Sequence, residues 1–264
     1  MFKMKTVIQL ALATLFACAA SAQAGTISDL GSTAYWGGND HHYGDSIGGA
    51  AYDISSATLT RAENRLTVNI ATSFAGYAGT ATFATPKGIA YGDVFLASSW
   101  NPLGNDAHNT GDNATTGTKW SYGLNLDNRW SNTGGTFTLY ELNGATNATD
   151  VLTSQDFMTC HLGTQCYYRD GQATAVNTKS ASVRNTGLTG TWTVSKDHGL
   201  LFDIQIGGTA LAGFGDLAMH WGETCQNDVI EGYTDVPEPA TPALIGLAVL
   251  GFALRRKTRS GATA

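Results

Sequence analysis

Apolar residues recur at every second position in several short runs of the chain. In RLTVNIATSF (65–74), Leu66, Val68 and Ile70 alternate with Thr67, Asn69 and Ala71. In LLFDIQIGG (200–208), Leu200, Phe202, Ile204 and Ile206 alternate with Leu201, Asp203 and Gln205. TFTLY (136–140) and TWTV (191–194) follow the same rule. A period of two sends successive side chains to opposite faces, so each run predicts a strand with one dry face and one wet face. Clusters of Gly, Asn, Asp and Ser separate the runs, and SKDHG (195–199) reads as a hairpin loop joining two strands. No amphipathic helical period stands out between the two chain ends. Residues 25–235 therefore predict an all-β domain, an antiparallel β-sandwich of jelly-roll-like type. The stretch 101–118, NPLGNDAHNTGDNATTGT, is nearly devoid of large apolar residues and predicts a long exposed loop, where binding functions concentrate.

Both ends break the pattern. Residues 1–5 carry Lys3 and Lys5, an apolar stretch runs from 6 to about 20, and Ala22-Gln23-Ala24 places small residues before a cut at Gly25. This predicts a cleaved N-terminal signal helix, residues 1–24, with Ala22, Ala24 and Gly25 as the cleavage residues. A lipoprotein signal ending at Cys18 is the alternative. At the other end, residues 236–264 hold Pro237-Glu238-Pro239, fifteen uncharged residues (240–254), and the basic residues Arg255, Arg256, Lys257 and Arg259. Fifteen helical residues reach about 22 Å, short of a hydrocarbon core of about 30 Å. Local thinning, with arginines reaching for the headgroups, lets such a segment span as a single short transmembrane helix. The basic cluster resists translocation and stays in the cytoplasm. Residues 237–239 then lie at the outer face, kept extended by the flanking prolines.

This tail resembles a PEP-CTERM sorting signal, matching its motif, span and basic stop in order. The resemblance implies recognition by exosortase, a membrane-embedded, cysteine transpeptidase-like enzyme of Gram-negative bacteria that make exopolysaccharide. It implies an exported protein: first a precursor tethered in the inner membrane, then a periplasmic, outer-surface or extracellular product. The segment HWGETCQND (220–228) is similar to one that often precedes such tails. Many relatives carry glycine after the cysteine, where this chain has Gln226, a departure that touches local turn geometry.

Charge narrows the partners. Residues 25–235 contain nine basic and twenty acidic side chains, a net charge of −11, which speaks against nucleic acid and anionic lipid surfaces. Charged residues are only 14% of the chain, so hydroxyls, amides and glycines supply most of its polar surface, as in β-rich extracellular proteins. Cys160, Cys166 and Cys225 remain after signal removal, and an oxidising compartment favours pairing. The short loop favours a Cys160–Cys166 disulfide with Cys225 free, although three pairings are open and zinc at this loop with His161 is a further reading.

Candidate chemistry is sparse. Tyr43-Gly44-Asp45, Tyr91-Gly92-Asp93 and Phe214-Gly215-Asp216 repeat an aromatic-Gly-Asp pattern. Either glycine and aspartate serve local backbone geometry, or Asp45, Asp93 and Asp216 converge on calcium; no other cofactor is expected. Asn39-Asp40-His41-His42-Tyr43 reads as a solvated loop. Of six tryptophans, Trp100 and Trp120 bracket the long loop and are the candidates for stacking on a sugar. The chain has no G-x-S-x-G, H-E-x-x-H or phosphate-loop motif, and Glu141 at a strand end is the carboxylate an acid–base reading would select. The residues thus favour an exported, non-enzymatic surface or matrix protein associated with exopolysaccharide or biofilm. A lectin-like carbohydrate-binding module and a secreted polysaccharide-active enzyme are the alternatives.

Overall fold

The period-two runs fold as strands in a computed structural model that describes residues 24–29, 51–82, 85–101, 117–143, 149–159 and 172–236. Among the described residues these are β1 (Ala24–Ser28), β2 (Ile54–Ala62), β3 (Arg65–Thr72), β4 (Val94–Ala97), β5 (Tyr122–Leu126) and β6 (Gly134–Leu142). They continue with β7 (Val151–Leu152), β8 (Ala175–Val176), β9 (Val183–Ser195), β10 (Gly199–Gln205), β11 (Asp216–Gly222) and β12 (Val229–Asp235). Among the described residues helix is confined to two short 3-10 turns, Ser154–Asp156 and Ala210–Gly213. None of the described helices is long and apolar enough to cross a membrane. The expected signal helix, with Ala22, and the expected span at 240–254 lie outside the described residues.

Register explains the burial. Leu200 and Phe202 of β10 stand opposite Ile70 and Val68 of β3, so both alternating runs turn the same face inward. SKDHG is the β9–β10 turn, with Ser195 opposite Gly199 and Asp197 in the left-handed region at φ 62°. That conformation suits a short-side-chain aspartate.

All the pairings are antiparallel, in the order β1-β2-β3-β10-β9-β6-β5-β4-β11-β12, with β7-β8 as a separate ribbon. The all-β antiparallel expectation holds. In place of two separate jelly-roll sheets, however, one ten-stranded sheet curls into a nearly closed barrel whose halves face each other. The pairs β3–β10, β9–β6 and β4–β11 join consecutive hairpins side by side, and the right-handed twist of strands supplies the curl. Its end strands meet without bulk between them. A Cβ on Gly25 would stand 2.3 Å from Thr234 Oγ1, and one on Gly232 would stand 2.6 Å from Ile27 Cγ2. Only glycine permits approach at that range.

The centre of the sheet is covered on both sides. Val94, Leu96, Leu217, Met219 and Trp221 point into the main core. Phe95, Ala97 and Ala218 point outward into a second cluster with Trp120, Ala173 and Val176. Gly123 lets β8 lie against β5, since a Cβ there would be 2.4 Å from Val176 Cγ2.

Candidate functional site

The strand that leads into the tail is anchored along its whole length. His220 of β11 faces Glu231 of β12, Nδ1 to Oε2 at 2.8 Å, while Nε2 sits 2.8 Å from the Ala173 carbonyl. A carbonyl can only accept, so Nε2 carries a proton, and the ring is held between a carboxylate and a carbonyl. The indole N–H of Trp100 donates to the other Glu231 oxygen at 2.7 Å. Trp120 closes the cluster, its ring centroid 5.6 Å from that of His220.

Between these strands, GETCQND (222–228) forms a buried turn. Asp228 accepts from the N–H of Ile54 at 2.6 Å and from that of Val229 at 2.9 Å, tying the turn to β2 and starting β12. Thr224 and Ala90 exchange hydrogen bonds, Thr224 N–H to Ala90 O at 2.8 Å and Ala90 N–H to Thr224 Oγ1 at 3.0 Å. Gln226 has φ 53°, in the left-handed region. Glycine adopts that conformation without strain. The Glu223 carboxylate and the Gln226 side-chain amide are fully buried without hydrogen-bond partners. Burial, and secondarily the charge of Asp53, pushes the Glu223 carboxyl well above its ordinary value. Cys225 is a free, buried thiol, pushed up by the same loss of water and then by Glu223.

The strand then ends at a fixed point. Val236 is fully buried and its N–H donates to Gly215 O at 2.9 Å. Burying that side chain contributes about 2 kcal/mol. Pro237 is the next residue, so fold and sorting motif adjoin with no spacer.

The other residues singled out by sequence fall as follows. Ala24 and Gly25 begin β1, opposite Thr60 and Leu59 of β2. Trp120 is 4% exposed and packs on Phe95 and His220, so it cannot serve as a sugar platform; Trp100 is half-buried and committed to Glu231.

Asp93 and Asp216 do not converge on a cation. The β4–β11 register places Phe95 opposite His220 and Ala97 opposite Ala218, leaving the two aspartates at opposite ends of that ladder. Asp93 also accepts from Asn125 Nδ2, from the N–H groups of Leu126 and Val176, and from the Arg129 guanidinium, at 2.8–3.1 Å. Asp216 accepts from the Tyr233 hydroxyl at 3.0 Å. Gly92 approaches Gly222 so closely that a Cβ would be 2.2 Å from its carbonyl oxygen, which favours the backbone-geometry reading of the pattern. Among the described residues no three His, Cys, Asp or Glu side chains gather as metal ligands.

Glu141 pairs with Arg184 across β6 and β9. Asp45, His41, His42, Cys160, Cys166, Pro237, Glu238, Pro239, Arg255, Arg256, Lys257 and Arg259 lie outside the described residues. The Asp93–Arg129 pair and the His220–Glu231 pair escaped sequence reading, because their partners are 36 and 11 residues away.

Residues 235–257 match the family model of the PEP-CTERM protein-sorting motif. No curated protein and no solved structure matches the chain. The match makes the tail a sorting signal targeted to exosortase, and the chain an exported protein.

Proposed function

We propose that this protein is a non-enzymatic component of the cell surface or extracellular matrix, released from the inner membrane by exosortase and held by exopolysaccharide. The observation that carries the reading is the direct succession of a buried strand end at Val236 and a sorting motif at Pro237. A nearly closed β-domain with a net charge of −11 over residues 25–235 and few charged side chains suits a hydrated polysaccharide setting, where hydroxyl and amide surface exchanges hydrogen bonds with sugars and water. The described acids Asp93, Asp228 and Glu141 are each engaged by donors that hold the fold together, which supports a structural rather than a catalytic role. The burial of Trp120 removes one of the two tryptophans on which the lectin-like alternative rests.

The test is fractionation of an exosortase-producing host with and without its exopolysaccharide. The proposal predicts recovery in the matrix fraction of the polysaccharide-producing strain and loss to the medium in the deficient strain. Equal retention in both strains would contradict it. Glycan turnover by the purified domain, abolished by replacing a single carboxylate, would establish the enzymatic alternative instead.

A further inference from the structure

The last residues of β12 are claimed by two structures. Thr234 and Asp235 lie under Gly25 of β1, and a Cβ on Gly25 would stand 2.4 Å from the Asp235 carbonyl oxygen. Gly232 lies under Ile27 in the same way. Val236 is buried and bonded to Gly215. Only residues 237–239 separate this anchor from the apolar segment at 240, a reach of about 10 Å when extended.

An enzyme that cuts a peptide segment binds it extended, using backbone hydrogen bonds on either side of the bond. Residues 234–236 cannot lie in such a cleft while Thr234 and Asp235 are paired with β11 and Val236 is bonded to Gly215. The matched sorting segment begins at residue 235, so it shares Asp235 and Val236 with the fold. β12 is an end strand of the sheet, hydrogen-bonded through its ladder to β11 and covered by β1, of which a cut before Gly25 leaves Gly25–Ser28. Opening of residues 234–236 alone leaves the Asp228 and Glu231 anchors made, which keeps it a local event.

We infer that the β1–β12 seam is an autoinhibitory clasp on C-terminal processing: exosortase acts on chains whose seam is open and is held off by the closed domain. The inference rests on the sorting reading above and adds its regulation. Gly25, Ile27, Gly232 and Val236 act here by setting the accessibility of the backbone before the motif, without touching the reacting bond.

The experiment pulse-labels the full-length chain in an exosortase-producing host and follows loss of the tail by mass. One form carries a flexible Gly-Ser spacer of about ten residues between Val236 and Pro237. A second carries Ile27→Cys and Gly232→Cys, whose Cβ atoms would be 3.6 Å apart, within disulfide range. The spacer form is expected to be processed about tenfold faster than wild type, and the cross-linked form about tenfold slower. The Ile27→Ser/Gly232→Ser pair, which cannot cross-link, should be processed at least as fast as wild type. Wild-type rates in both the spacer and the cross-linked forms, or slower processing with the spacer, would overturn the clasp. Should the cysteine pair fail to fold, the spacer form decides alone. Pro237→Ala/Pro239→Ala separates the two readings. If that form is processed normally, the sorting reading fails. If it is blocked while spacer and cross-link change nothing, the clasp alone fails.

Discussion

His220 and Glu231 stand directly opposite each other on β11 and β12, both buried, with Nδ1 and Oε2 2.8 Å apart. The pair fastens the strand that leads to the sorting motif, and the same carboxylate also holds Trp100. Replacing Glu231 with Ala strands a buried ring and an indole N–H, and should lower stability by about 3 kcal/mol. Denaturant unfolding of the purified domain measures this. A loss within experimental error of zero would mean that the pair is ornamental to the fold.

Glu223 makes stability depend on pH. Its carboxyl is pushed well above the ordinary 4.5, first by burial, so the folded chain keeps a proton that the unfolded chain releases. The stabilisation is complete below the unfolded value and is lost as pH rises toward the raised folded value. Glu223→Gln should therefore show a flatter profile, its advantage over wild type growing from about pH 5 upward. Parallel profiles for the two proteins would refute the assignment.

Gln226 occupies backbone that favours glycine, at φ 53°. Gln226→Gly should raise stability by about 1 kcal/mol by relieving that strain and removing an unpartnered buried amide. Gln226→Val should lower it, because a β-branched side chain tolerates the left-handed region worst. The order of the three melting temperatures is the readout, and valine above glutamine would contradict it.

Cys225 is fully buried, and its thiol is pushed well above its ordinary value by burial. Thiolate is the reactive form, so the folded protein should leave this thiol unlabelled over hours by a maleimide that labels it within minutes after denaturation. If Cys160 and Cys166 are paired, the denatured mature chain yields one labelled thiol, read by mass. Prompt labelling of Cys225 in the native state would show that the turn is open.

Strands with one wet face were legible in the sequence, because alternation records a two-sided environment. Leu66, Val68 and Ile70 of β3 and Leu200, Phe202 and Ile204 of β10 are buried as their spacing predicts. The strands β4 and β11 were not legible. VFLA is buried at all four positions, and β11 at every position after Asp216, so no alternation survives to be read. The curl of the sheet was hidden for another reason. Its closure relies on Gly25 and Gly232, where β1 and β12 meet, and a glycine that admits a facing strand cannot be told from a glycine in a turn by composition. Trp120 misled in the same way, since a tryptophan beside a polar loop can pack inward as readily as outward. The tail was readable because its signal is linear: motif, apolar segment and basic stop follow one another along the chain.

An export cut before Gly25 and exosortase processing of the tail would each leave a new chain end. Mass spectrometry of both termini of the protein recovered from an exosortase-producing host reads them together. The expected product begins at Gly25 and lacks the segment from 240 onward. An intact chain from Met1 to Ala264, recovered from the cytoplasm of that host, would contradict it.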